Sequence, residues 1–124
     1  MEQQRDSTNL IIGAAIEVHR ELGPGLLESL YEKALVWELE KQGLHFETQV
    51  PLNICYKGSD LGEGYRMDLV VDESVVVELK TVEQILPIHE AQILSYLKIS
   101  GIKLGLLLNF NVPLLKDGVK RFIL

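Results

Sequence analysis

The amino-acid sequence predicts an α/β fold, a central mixed sheet flanked by helices in the order α-α-β-β-β-α-β, as a single domain over residues 1–124. Three observations predict it. Apolar residues recur at helical spacing as far as Gln42, change to a looser two-residue alternation between Leu44 and Lys80, and return to helical spacing after Pro87 before one short apolar run. At 124 residues, 47% hydrophobic and 24% charged, the chain has material for one ordinary core and no room for a second.

The first helix covers Leu10 to Leu22, with Leu10, Ile11, Ala14, Ala15, Val18 and Leu22 at helical spacing and Ser7, Thr8 or Asn9 available to cap it. Gly23-Pro24-Gly25 breaks the chain. The period resumes from Leu26 to Gln42 through Leu27, Leu30, Tyr31, Ala34, Leu35 and Leu39, and stops at Gly43. Phe46 to Tyr56 reads as a strand running into the turn-rich Lys57-Gly58-Ser59-Asp60. Tyr65 to Val71 and Val75 to Lys80 are two further strands joined by the loop Asp72-Glu73-Ser74. Pro87 suits the first position of a helix over Ile88 to Ile99, closed by Ser100-Gly101. Lys103 to Phe110 is a buried strand, Asn111-Val112-Pro113 breaks it, and Val119 to Leu124 supplies an edge strand.

Composition excludes several classes. The one cysteine, Cys55, permits no intramolecular disulfide, and no Cys/His spacing resembles a zinc site. A cytoplasmic protein is expected, with Cys55 in the core of its strand. Met1 to Asn9 is polar and lacks the apolar centre of a signal peptide, and no apolar stretch is long enough for a bilayer, so no membrane partner is expected. The formal charge of −6 opposes a phosphate backbone, but it is uneven. Residues 1–97 hold 7 Lys+Arg against 17 Asp+Glu, whereas residues 98–124 hold 5 (Lys98, Lys103, Lys116, Lys120, Arg121) against Asp117 alone. That basic end is either a face for nucleic acid or a solvated tail on an acidic protein.

The chemistry concentrates in the second hairpin. If Val71 opposes Val75, opposed residue numbers sum to 146, Asp68 lies across from Glu78 and Arg66 across from Lys80. Tyr65, Met67, Leu69 and Val71 then share an apolar face with Val75, Val77 and Leu79, and a slip by one residue would mix the faces. Directly opposed carboxylates repel, and burial raises their cost, so a compensating charge is required. Either a hard divalent cation, Mg²⁺ or Mn²⁺, supplies it, or Arg66 and Lys80 do so as an ordinary cross-strand cluster. Val76 on that polar face favours the cation, because a solvated face would more often hold Thr or Lys. Glu78 and Lys80 are two residues apart and point into one space. Glu78 can hold a metal while Lys80 orients the attacking water or stabilises charge on a phosphorane-like transition state. Glu-x-Lys alone is common on exposed strands.

Other residues have plainer readings. Glu28 alone, in a first helical turn, is explained by the helix dipole. Tyr31 is expected as a core aromatic with its hydroxyl hydrogen-bonded. Gln92 and Tyr96 share a helix face flanked by His89, an arrangement more common at interfaces than in sites. His19 and His45 read as structural or exposed.

Asp68, followed by Glu78-Leu79-Lys80 on the next strand, resembles the D…ExK core of the PD-(D/E)xK nuclease superfamily. Gly25-Leu26-Leu27-Glu28-Ser29-Leu30-Tyr31 is similar to the G-x-x-E-x-x-Y signature that names a family of small proteins grouped with that fold. Gln92-Ile93-Leu94-Ser95-Tyr96 is similar to the Q-x-x-x-Y helix motif of the RecB-like branch. The matches run from Gly25 to Tyr96. The resemblance implies a restriction-endonuclease-like core, Glu28, Asp68 and Glu78 as ligands of Mg²⁺ or Mn²⁺, Lys80 as the catalytic lysine, and Gln92 and Tyr96 placing substrate or active-site groups. Met67 stands where the superfamily's name has Pro, a departure many members share.

Two functions are expected. One is a metal-dependent nuclease hydrolysing phosphodiester bonds of DNA or RNA, with DNA the leading substrate. The other is a catalytically inactive module of the same fold that binds nucleic acid or protein. The small chain offers little surface to grip a duplex, so a homodimer or partner protein is expected to complete the cleft. A purely structural hairpin would require all four motifs to coincide by chance.

Overall fold

The structure, a computed structural model, describes residues 7–124. The reading of Met1 to Asp6 falls outside them. Helices α1 (Ser7–Leu22) and α2 (Glu28–Lys41) come first, then strands β1 (Phe46–Tyr56), β2 (Ser59–Val71) and β3 (Val75–Lys80). Helix α3 (Pro87–Ser100), strand β4 (Leu104–Asn109), a 3-10 turn (Leu115–Gly118) and strand β5 (Val119–Ile123) complete the chain. The five strands lie in sequence order in one sheet. β3 and β4 are parallel, with α3 as the crossover between them, and the other neighbours are antiparallel. The expected mixed sheet flanked by helices is present.

Helices α1 and α2 cover one face, where Ile11, Ala15, Tyr31 and Leu35 form a core with Leu69, Val77, Leu79, Leu106 and Leu108. Helix α3 covers the other, with Ile93, Tyr96 and Leu97 clustered with Val70, Val76 and Leu107. β3 and β4 are buried on both sides, which is why they read as apolar runs rather than alternations. Gly105 allows α3 to approach, since a Cβ there would stand 3.0 Å from the Ile93 side chain.

Boundaries differ from expectation where tertiary contacts override local signals. β2 begins at Ser59 rather than Tyr65, because Lys57 (φ 49°) and Gly58 (φ 81°) reverse the chain at once and pairing with β1 extends a segment of low strand propensity. Register shifts after Leu52 and Asn53 absorb its irregularity. Ser7, Thr8 and Asn9 do not cap a helix starting at Leu10. They lie within α1, and the Ser7 hydroxyl hydrogen-bonds the Asp72 carboxylate in the β2–β3 loop. α2 begins at Glu28, with Leu27 extended before it. Cys55 is exposed rather than buried, because β1 and β2 project there beyond β3 and pair only with each other.

His19 and Tyr31 have structural places and His45 is exposed, within the readings given for them. His19 is buried with Nε2 2.8 Å from the Val112 carbonyl, and His45 is exposed. Tyr31 stacks on Phe110 at 4.5 Å; its hydroxyl donates to the Gly23 carbonyl (2.5 Å) and accepts from the Leu26 N–H (3.1 Å). These bonds pin the Gly23-Pro24-Gly25 corner to α2, and with it the direction in which Glu28 enters the helix.

Candidate active site

The register expected for the β2–β3 hairpin is observed: Val71, Val70 and Leu69 oppose Val75, Val76 and Val77. The ladder then stops. At Asp68 and Glu78 the strands part, and side chains replace the backbone partners. Glu78 Oε2 accepts from the Asp68 N–H at 2.7 Å, and Asp68 Oδ2 accepts from the Leu79 N–H at 3.0 Å. The N–H groups left by the parting strands are thus satisfied by the two carboxylates. Arg66 does not oppose Lys80, contrary to expectation. It opposes Pro51 on β1, and its exposed guanidinium lies 2.5 Å from Glu63. The cross-strand neutralisation that required Arg66 is therefore absent.

A second expectation is corrected at the same place. Tyr65 and Met67 do not share a face with Leu69 and Val71. Leu69 and Val71 pack under α1 and α2, whereas Met67 packs under α3 and the Tyr65 ring lies 5.9 Å from Tyr96. β1 does the same: Phe46 faces the α1–α2 core, while Val50 and Leu52 face α3. Both reversals straddle Gln49 and Asp68, which would be opposed in a register that holds on either side (Thr48 with Leu69, Val50 with Met67) but are not paired. Gln49 has a φ of 50°. A left-handed residue inside an extended strand turns the ribbon over, and Asp68 sits at the turnover.

Asp68 is thereby presented to α2 as well as to β3. Glu28, the first residue of α2, is half-buried, and its carboxyl pKa is raised by burial and then by Asp68. Glu32 follows one turn later and is raised by burial also. The Gln49 amide donates to Glu32 Oε1 at 2.9 Å, and it also favours the charged form of Asp68. Asp68 itself is raised, chiefly by burial. Glu78, 5% exposed, is pushed from 4.5 to about 8, first by burial and then by Asp68. The Lys80 ammonium lowers Glu28, Asp68 and Glu78 without reversing any of these shifts. Tyr96 is pushed up to about 12, first by burial and then by the Glu78 and Asp68 charges.

Glu28, Asp68, Glu78, Lys80 and Tyr96 therefore act on one another electrostatically. Gln92 lies one turn before Tyr96, half-buried, and makes no hydrogen bond to the carboxylates. His89 serves the helix start, its Nδ1 accepting from the Leu86 N–H at 2.9 Å. Among the described residues, no group of three or more His, Cys, Asp or Glu side chains is drawn together closely enough to hold a metal ion. Cavities lie elsewhere among the described residues, one of about 540 Å³ between the end of α1 and Pro113–Lys116 and another of about 430 Å³ beside Ser74, Ser100 and Leu104.

Sequence reasoning missed three residues. Glu32 is signalled only by its spacing of four from Glu28, and Gln49 by nothing local. Asn109 was legible as a polar residue ending an apolar strand. It is 3% exposed, its Oδ1 accepts from the Val82 and Asn111 N–H groups (3.1 and 3.2 Å), and its Nδ2 donates to the Val82 carbonyl (2.9 Å). Asn109 opposes Lys80 across the β3–β4 ladder, so this clamp fixes the chain leaving Lys80.

A mixed sheet covered by helices on both faces, with an Asp and a Glu-x-Lys where two of its strands part, is the architecture of a restriction-endonuclease-like core. The chain belongs to the PD-(D/E)XK nuclease superfamily, whose sequence profile matches residues 5–122. No curated protein and no solved structure matches it significantly. Members of this superfamily typically use divalent metals on nucleic-acid substrates. No helix among the described residues is long and apolar enough to cross a membrane.

Proposed function

We propose that this chain is a metal-dependent nuclease hydrolysing phosphodiester bonds, with DNA as its leading substrate, RNA as the alternative, and Mg²⁺ or Mn²⁺ as cofactor. The observation that carries the reading is the buried Glu78 carboxylate, fastened beside Asp68 with no arginine paired to either among the described residues and with Lys80 two residues on. Such a pair is costly unless its use requires it.

The donor set fits a hard divalent ion in type, being carboxylate oxygens, although the side chains form no closed three-ligand cage. Asp68 and Glu78 would hold the ion, with Glu28 approaching from α2. Bound there, it would neutralise the carboxylates and polarise the scissile phosphate. Lys80 projects its ammonium toward the same space, where it orients the attacking water and stabilises charge on the phosphoryl oxygens. Tyr96, with a hydroxyl held protonated, donates a hydrogen bond and not a charge, and Gln92 beside it places substrate. The G-x-x-E-x-x-Y and Q-x-x-x-Y segments support placing the chain in the G-x-x-E-x-x-Y family, near the RecB-like branch. We further propose a cytoplasmic, single-domain protein over residues 1–124, whose cleft a second copy or partner protein completes.

One observation favours the non-catalytic module. Of the basic C-terminal residues, Lys120 is paired with Glu90 at 2.6 Å and Arg121 hydrogen-bonds Asn9, which leaves less charge for phosphate. The deciding experiment is cleavage of end-labelled single- and double-stranded DNA and RNA with Mn²⁺ or Mg²⁺, beside Lys80→Ala and an EDTA control. Metal-dependent cutting lost in Lys80→Ala is expected. Folded protein that cuts none of the four substrates would give the module reading instead.

A further inference from the structure

We infer that Gln49 is a positioning residue of this site, a bracket that holds Asp68 in place by tying it to Glu32 on α2. The inference rests on the nuclease reading and adds to it two residues outside the Asp, Glu-x-Lys and helix motifs.

The backbone gives the first observation. Among the described residues, four that are not glycine have positive φ. Lys57, Asp72 and Glu73 lie in the two hairpin turns, where such angles are ordinary, and Gln49 alone lies inside a strand. The left-handed conformation is disfavoured for a side-chain-bearing residue, and Gly or Asn would adopt it more readily. Gln49 is exposed on an edge strand, so core packing does not demand a glutamine there. Backbone strain kept without a packing reason is a signature of functional positions.

The side chain supplies the second, independent observation. The Gln49 amide nitrogen donates to Glu32 Oε1 at 2.9 Å, and the same side chain acts on the Asp68 carboxylate, which it favours in the charged form. Asn, one methylene shorter, would suit the backbone but reach less far. A neutral donor is also the only kind that can bridge two carboxylates without claiming them as a salt bridge and competing with a cation. The Leu79 N–H on β3 holds Asp68 from one side, Gln49 stands at the matching position of β1 on the other, and Glu32 anchors Gln49 to the helix that carries Glu28. Glu32 is an acceptor in this arrangement, not a ligand.

The test is steady-state cleavage and Mn²⁺ affinity, measured by isothermal titration, for wild type, Gln49→Leu, Gln49→Asn, Glu32→Ala and Glu32→Gln. Partners that orient a metal ligand are typically worth ten- to a hundredfold, so kcat should fall by at least about tenfold in Gln49→Leu with KM little changed. Gln49→Asn should resemble Gln49→Leu in kcat while being at least as stable as wild type. Glu32→Gln, which keeps an acceptor oxygen, should stay within about threefold of wild type, and Glu32→Ala should lose about as much as Gln49→Leu. Full kcat in Gln49→Leu overturns the inference, as does a Glu32→Gln as damaged as Glu32→Ala, which would make Glu32 a ligand or proton carrier. If Gln49→Leu does not fold, Gln49→Asn and the Glu32 pair carry the test. Wild type that cuts nothing sinks the nuclease reading alone. Positioning is then read from Mn²⁺ affinity, and the same affinity in wild type and Gln49→Leu, or no binding in either, overturns it.

Discussion

Replacing Glu78 with Gln removes a buried ionisable group and leaves its shape. The Gln carbonyl can still accept from the Asp68 N–H, so the strand-parting hydrogen bond survives while the charge does not. The carboxyl titrates at about 8 in the folded chain against 4.5 when free, so between those values the folded state binds the extra proton. A raised carboxyl pKa favours folding fully only below the lower value, and the advantage is lost as pH rises through the upper one. At about 1.36 kcal/mol per unit, wild type in EDTA should lose on the order of 3 kcal/mol relative to Glu78→Gln between pH 5 and pH 8. For a chain of this length that is roughly a 10 °C difference in Tm. The assay is urea unfolding of both proteins across that range, without metal and then with Mn²⁺. Metal should restore wild type at pH 8 and leave Glu78→Gln unmoved. Parallel pH curves for the two proteins, or a Glu78→Gln less stable than wild type at pH 8, would refute the placement of an uncompensated carboxylate in this core.

Asp68→Asn should raise metal-free stability at pH 8 by about 1 kcal/mol, because it removes the charge beside Glu78 and keeps an acceptor for the Leu79 N–H. It should also abolish the Mn²⁺-dependent rise in Tm, both read by thermal melts. Asn109→Leu strips three hydrogen bonds from the segment after Lys80 and should cost about 3 kcal/mol in urea unfolding, with cleavage falling further than stability alone accounts for.

Much of the fold was legible because its signals are local. Gly23-Pro24-Gly25 marks one helix corner, Pro87 and Gly101 bracket α3, and the alternation of Asp68 with Leu69 and Val71, and of Glu78 with Val77 and Leu79, favours the observed hairpin register. Asp68 and Glu78 were legible as neighbours for that reason. What the pattern could not show is where the pairing ends. Strict alternation placed Tyr65 and Met67 with Leu69, yet a single left-handed residue on the adjacent strand, Gln49, moves them to the other side. Its sequence, Thr48-Gln49-Val50, carries no turn residue to announce it. The extension of β2 back to Ser59 was hidden likewise, since Ser59 to Gly64 acquires its conformation from β1 rather than from its own composition. Glu32 depends on a contact distant in sequence.

The exchange of hydrogen bonds between Asp68 and Glu78 has a mechanical side. Each carboxylate is fastened to the opposite strand, Glu78 to the amide of Asp68 and Asp68 to the amide next to Glu78. The pair works like a crossed lacing: when the sheet flexes, the two strands cannot spread or slide at this point without carrying both carboxylates along. The spacing between the two carboxyl groups is set by the covalent reach of two short side chains, each tied to the other's strand.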